Sequence, residues 1–123
     1  MQNHKLVLPE NLNHYGYLFG GYMLKWVDEI AWIAATLDYP DCRFVTIGMD
    51  QVEFRESIKE GSILRFDTKR NRVGNTSVDY LVEVAKEGRE NGSAFSTTVT
   101  MVRVDENGVK TPLPDPADSN PTA

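Results

Sequence analysis

The stretch that decides the fold is GYMLKWVDEIAWIAATL, residues 21–37, which contains good helix formers and neither proline nor an internal glycine. At 100° per residue, Lys25, Glu29 and Thr36 fall within an arc of roughly 40°, and apolar residues occupy most of the remaining circumference. A helix on a protein surface shows a narrower apolar stripe than this. The pattern therefore predicts one helix that other structure covers on most sides.

Strand-like segments lie on both sides of this helix and are separated by turn-forming residues. Because the connections between the later segments are short, we expect antiparallel pairing. One helix and one sheet predict an α+β fold, in which an antiparallel sheet of five to six strands wraps a long central helix. A single sheet of this kind leaves exposed edges, which favours assembly with a second copy of the chain. The predicted strands are residues 43–54, 62–73, 76–87 and 93–105, with a short strand or arm at residues 5–8.

Composition sets the class of protein. The chain has 123 residues, a formal net charge of −5 and 41% hydrophobic residues, which is typical of one globular domain. We expect the domain at residues 1–114 and a disordered, proline-rich tail at residues 115–123. A net acidic chain without a basic block is a poor candidate for nucleic-acid binding.

The cysteine content and the apolar segments of the chain predict its cellular compartment. A single cysteine, Cys42, cannot form an internal disulfide, which fits a reducing compartment. No segment has the length and apolar character of a signal peptide or a membrane span. The sequence therefore predicts a cytoplasmic protein without a membrane partner.

Asp28 is the residue that a purely structural helix does not explain. On the helical wheel it lies outside the polar arc, near Leu24 and Trp32. A carboxylate at the margin of a mostly buried helix loses hydration, which is costly unless the group is paired or functional. Asp28 is therefore a candidate general base. The alternative is a partner for the helix dipole, although Asp28 lies two turns into the helix, where that benefit has faded.

Other candidates precede the helix. Gly20 and Gly21 stand where the first amides of the helix are unpaired, so they could form an oxyanion hole or simply a tight turn. Asn13 could orient a water molecule or cap its own loop. His14 could act as a base, but it has no nucleophile partner at a recognisable spacing. The two histidines of the chain are too few for a metal site without carboxylates that the sequence does not place, so we expect no metal.

Taken together, these residues resemble the acyl-CoA hydrolase branch of the hotdog-fold acyl-CoA thioesterases. The resemblance covers the chain from about Leu6 to Pro114, and the combination is more specific than any of its pieces. The matching motifs are Leu8-Pro9, Asn13-x-x-Gly16, Phe19-Gly20-Gly21-x-x-Leu24-x-Trp26-x-Asp28-Glu29, Val45-Thr46, Val52-x-Phe54, Ile58-x-x-Gly61, Val73-Gly74-x-Thr76-Ser77 and Pro112-Leu113-Pro114.

The resemblance implies hydrolysis of an acyl-CoA to a free acid and CoA, with CoA as part of the substrate and no separate cofactor. It implies Asp28 as the catalytic carboxylate, either general base or nucleophile. Asn13 would lie near the thioester, supplied by the opposite subunit, and the amides of Gly21 and Tyr22 would polarise its carbonyl. It also implies a homodimer with sheets joined edge to edge, assembling further to a hexamer as a trimer of dimers.

Substrate contacts are implied for a further set of residues. Relatives often have a basic residue at the position of Asn75, so Arg72 or Lys69 could hold the CoA phosphates instead. The alternative is that this segment is only a solvated hairpin end. Two other functions remain open: a non-catalytic acyl-CoA-binding module, and a hydratase, which the absence of histidine from the helix disfavours. The expected substrate-binding residues are Gly20, Tyr22, Phe54, Arg72, Gly74, Asn75, Thr76 and Ser77.

Overall fold

A long helix, α1 (Gly20–Asp38), packs on an antiparallel sheet in the computed structural model, which describes residues 1–88 and 92–117. Within the described residues the sheet has five strands in the order β1-β3-β4-β5-β2, so β1 and β2 are its edges. A short 3₁₀ turn at Pro9–Asn11 follows the first strand. The strands are β1 (Gln2–Leu6), β2 (Arg43–Phe54), β3 (Ile63–Val73), β4 (Ser77–Lys86) and β5 (Phe95–Val104).

The predicted order of elements and the antiparallel pairing are confirmed, and most boundaries agree within two residues. The exception is the first strand, which was predicted at residues 5–8. It spans Gln2–Leu6 because it pairs with Ile63–Asp67 of β3, and Pro9 then begins the 3₁₀ turn. The position of this strand is set by its partner rather than by its own apolar residues.

One side of α1 forms the core with the inner face of the sheet. Met23, Val27 and Ile30 of the helix are buried, and so are alternate residues of β4, including Val78 and Tyr80. Full burial of a side chain of this size contributes about 1.5–3 kcal/mol. The alternation read from the sequence therefore identifies the face of β4 that holds the helix.

The other side of α1 is open in the single chain. The prediction that most of the helix is covered holds for most of its apolar residues, which are buried, whereas Trp32 is 45% exposed and Leu37 is 63% exposed. A five-stranded sheet contacts the helix from one side, and the remaining apolar surface needs a different cover. Within the described residues, no helix is long and apolar enough to cross a membrane.

The segment of residues 113–117 runs along the domain rather than away from it. Leu113 N donates a hydrogen bond to Asn75 O, and Ala117 N donates one to Asp38 O at the end of the helix. The first part of the predicted disordered tail therefore contacts the fold. The rest of that predicted tail, residues 118–123, lies outside the described residues.

Candidate active site

Asp28 makes its hydrogen bond across the open side of the helix, to strand β2. Thr46 Oγ1 lies 2.5 Å from Asp28 Oδ1 and donates to it. Within the described residues, Oδ2 of the same carboxylate has no hydrogen-bond partner. Asp28 is half-buried and lies in the third turn of α1, so a helix-dipole role does not explain it. The carboxylate is therefore oriented through one oxygen, with the other available to a water molecule or a substrate.

Thr46 is a functional candidate to which sequence reasoning assigned no role, although the residue belongs to the matching motif Val45-Thr46. It pairs with Met101 of β5, and its hydroxyl also lies 3.3 Å from Met101 Sδ, so it belongs to the helix-facing side of the sheet. The pairing of β2 with β5 shifts register immediately afterwards, between Thr46 and Gly48. A polar residue two positions after the buried Phe44, on the same face of the strand, was the signal available in the sequence.

The first turn of α1 presents two unpaired amides. Tyr22 N and Met23 N both point to Phe19 O, at 3.0 and 3.5 Å. In the part of the chain that is described, the amides of Gly20 and Gly21 have no partner. The assignment of the Tyr22 amide to an oxyanion hole is therefore corrected, because that amide is already used, and the free donors are Gly20 and Gly21.

Aromatic rings lie close to both glycines of the helix terminus. A Cβ added to Gly21 would stand 2.6 Å from Phe19 Cε2, and one added to Gly20 would stand 3.3 Å from Phe54 Cζ. The Tyr22 ring packs nearby, with its centroid 6.4 Å from that of Phe19. The glycine pair thus allows close packing of rings around the unpaired amides.

Asn13 caps its own loop and keeps one group free. Its Oδ1 accepts hydrogen bonds from Tyr15 N at 2.9 Å and Tyr17 N at 3.1 Å, which confirms the capping interpretation for this oxygen. No partner for its Nδ2 exists among the residues described. The rigid loop therefore holds an amide donor ready for a ligand.

A cavity of about 720 Å³ brings part of the predicted site together. Its lining includes Asn13, Gly20 and Phe54, together with Met23 and Ile58, but not Asp28. Within one chain, Asn13 and Asp28 therefore do not face the same cavity.

The segment expected to contact CoA forms the turn between β3 and β4. Gly74 N donates to Ser77 O at 2.7 Å, and Thr76 O accepts a hydrogen bond from Arg103 N. The exposed Arg72 lies 3.5 Å from Asp79 Oδ2. In the single chain, this segment is a hairpin end, separate from the cavity that Asn13 lines.

The groups with shifted pKa values lie away from these residues. The hydrogen bond from Gln2 holds the pKa of Asp67 below its ordinary value, and the one from His4 lowers the pKa of Glu87. Burial, followed by the hydrogen bond to Asp38, raises the pKa of Tyr80. Among the described residues, no group of three or more His, Cys, Asp or Glu side chains is placed to hold a metal ion.

Comparison with known proteins identifies the family. Residues 15–93 match the family described as Thioesterase superfamily, so the chain belongs to that superfamily. Protein VdlD of Helicobacter pylori is 37% identical over 112 residues, covering 89% of this chain and 63% of its own length. The uncharacterized acyl-CoA thioester hydrolase YkhA of Bacillus subtilis is 33% identical, covering 88% of this chain and 64% of its own length. The chain thus spans less than two thirds of each of these two relatives.

Solved structures confirm the hotdog fold. The hexameric hotdog fold thioesterase Cj0915 of Campylobacter jejuni is 34% identical with a TM-score of 0.81, covering 91% of this chain and 88% of its own. An acyl-CoA hydrolase from Staphylococcus aureus, solved with butyryl-CoA and CoA, is 28% identical with a TM-score of 0.81, covering 94% of this chain and 69% of its own. Variants of the latter enzyme with an Asn, an Asp or a Thr replaced by Ala have also been solved.

Proposed function

We propose that this protein is an acyl-CoA thioester hydrolase, which releases a free acid and CoA. The observation that carries the proposal is the half-buried Asp28 carboxylate, oriented by Thr46 and with one oxygen free on the open side of α1. The relatives and structural neighbours named as acyl-CoA hydrolases support the same reaction. The order of Asn13, Asp28 and Thr46 along the chain is the same as that of the Asn, Asp and Thr replaced in the S. aureus variants. The spacings between the three residues are also similar.

In the proposed reaction, Asp28 removes a proton from a water molecule, and the resulting hydroxide attacks the thioester carbonyl carbon. The carbonyl oxygen becomes negative and is stabilised by the amides of Gly20 and Gly21. The intermediate then expels the CoA thiolate, which takes up a proton, and the acid is released. Asn13 Nδ2 would position the water or the thioester. In the alternative route, Asp28 itself attacks and forms a mixed anhydride, which water then hydrolyses.

The complete site requires two copies of the chain in this proposal. Asn13 and Asp28 face different regions of one chain, and β2 is an edge strand with exposed apolar side chains, including Val45, Ile47 and Val52. Joining two β2 edges would extend the sheet and pair the free backbone groups of β2. The hexameric state of the C. jejuni neighbour supports further assembly as a trimer of dimers.

The remaining contacts follow from the same arrangement. Tyr22 and Phe54 would border the acyl group, while Arg72 and residues 74–77 would approach the pantetheine and phosphates of CoA from the second chain. The proposal needs no cofactor, and we place the reaction in the cytoplasm. Relatives named cytosolic acyl coenzyme A thioester hydrolase, 26% identical to this chain, support that location.

The test is thiol release from a panel of acyl-CoA substrates by the wild type, Asp28→Asn and Glu29→Gln. Asn keeps the shape of Asp28 and removes its basicity, so we expect a loss in kcat of about a hundredfold or more. Glu29 is the neighbouring, exposed carboxylate of the same helix, so Glu29→Gln is the matched control and should keep its activity.

Two results would contradict the proposal. Equal rates for the wild type and Asp28→Asn would exclude Asp28 as the catalytic carboxylate. If no acyl-CoA is hydrolysed and CoA still raises the melting temperature, the protein is a binding module instead.

A further inference from the structure

Phe54 is an aromatic residue at the border between the cavity and the helix terminus. It is the last residue of β2, it is 53% exposed, and it lines the cavity together with Asn13 and Gly20. A Cβ added to Gly20 would stand 3.3 Å from the Phe54 Cζ, so the ring lies close to the first residue of α1. The ring therefore stands beside the first unpaired amide of α1.

The ring is held in this position from its other side. Phe95 of β5 packs against it edge to face, with centroids 4.8 Å apart and an interplanar angle of 65°. Phe95 is fully buried, so the Phe54 ring cannot withdraw into the core. The next residue is also fixed, because Arg55 N donates to Ala94 O at 2.8 Å.

Charged groups adjoin the same part of the cavity wall. Arg55 donates to Ser93 Oγ at 2.7 Å and to Ser96 Oγ at 2.8 Å, and Glu56 pairs with Lys86 at 3.2 Å. Both Arg55 and Glu56 line the cavity. A long apolar chain laid against them would remove water from charged groups without replacing its hydrogen bonds, which is unfavourable.

We propose that Phe54 is a specificity-determining residue that restricts the acyl group to short chains. The inference rests on the proposed thioesterase function. With the thioester carbonyl at the Gly20 and Gly21 amides, the acyl chain enters the cavity past the Phe54 ring. A short chain ends beside the ring, whereas a longer chain needs the space that the ring occupies between Gly20 and Phe95.

The experiment compares kcat/KM for acetyl-, butyryl-, octanoyl- and palmitoyl-CoA in the wild type, Phe54→Leu and Phe54→Ala. The measured quantity is the octanoyl-to-butyryl ratio of kcat/KM. We expect this ratio to rise about tenfold or more in Phe54→Ala and by less in Phe54→Leu, since one or two methylenes change pocket discrimination by roughly tenfold or more.

Phe19→Ala is the matched control. Phe19 is also 53% exposed and packs on the neighbouring Gly21, but it does not line the cavity. Its removal should leave the octanoyl-to-butyryl ratio unchanged, whatever it does to the rate. An equal rise in Phe19→Ala would show that loosening of the helix terminus, rather than cavity space, sets the preference.

The outcomes separate the two proposals. If the wild type hydrolyses butyryl-CoA and the ratio is the same in all Phe54 variants, the role of Phe54 is refuted and the thioesterase function stands. A wild type that prefers palmitoyl-CoA also refutes it. If the wild type hydrolyses none of the four substrates, the proposed function itself fails. Thermal melting shows which variants are folded, and Phe54→Leu, which keeps most of the apolar volume, gives the result if Phe54→Ala does not fold.

Discussion

Replacement of Thr46 by valine tests whether the contact between β2 and α1 supports catalysis. Valine keeps the shape of threonine and removes the hydroxyl that donates to Asp28 Oδ1. A hydrogen bond to a charged group contributes about 1.5–3 kcal/mol. Thr46 is exposed and Asp28 is half-buried, so the lower end of this range applies. About 1.5 kcal/mol lost from the transition state corresponds to a loss of roughly tenfold in kcat.

The assay is thiol release at saturating and limiting acyl-CoA, so that kcat and KM are separated. Thr46→Ser retains a hydroxyl and should recover most of the rate. Thr100→Val is the control, because Thr100 Oγ1 donates to Asp79 Oδ1 at 2.7 Å in a Thr–Asp pair that does not include Asp28. Since Asp79 also contacts Arg72, a proposed CoA contact, this control is compared in kcat at saturating acyl-CoA. A Thr46→Val rate within twofold of the wild type would refute the positioning role. So would a Thr46→Ser variant as slow as Thr46→Val, or an equal loss in Thr100→Val.

Three further predictions concern stability and assembly. Tyr80→Phe removes the hydrogen bond from a buried hydroxyl to Asp38 Oδ2 at 2.7 Å, so it should cost about 1.5 kcal/mol and lower the melting temperature by about 6 °C at fixed protein concentration; an unchanged melting curve would contradict this. The hydrogen bond from Gln2 lowers the pKa of Asp67 from its ordinary value of 3.8. This bond therefore stabilises the folded protein above pH 3.8, and the stabilisation is lost as the pH falls through the pKa of Asp67 in the folded state. The urea midpoints of the wild type and Gln2→Ala should therefore differ at about pH 6, and the difference should shrink as the pH falls below 3.8; a difference that widens in acid would reverse the assigned sign. Ile47→Lys places a charge on the exposed edge strand β2. Light scattering should then detect the single chain of 13.9 kDa, and thiol release should be lost. A variant that remains oligomeric would exclude this edge as the interface.

The residues of the candidate site show how much of that site the sequence could predict. Asp28 was identifiable because a carboxylate outside the polar arc of an apolar helix needs a partner. The partner, Thr46, lies 18 residues further along on an edge strand, and no local pattern connects the two. The glycine pair was visible as well, but the rings of Phe19 and Phe54 that pack on it became apparent only from their contacts.

The sequence by itself determined the order of one helix and five strands, the antiparallel pairing, and Asp28 as a candidate catalytic residue. These features follow from periodicity and turn-forming residues, which act over a few neighbouring positions. Only the tertiary structure decided that β1 begins at Gln2, that Tyr22 N is already used, and that Asn13 and Asp28 face different regions of one chain. Strand pairing and side-chain packing join residues far apart in sequence, so their geometry depends on the register of the whole sheet.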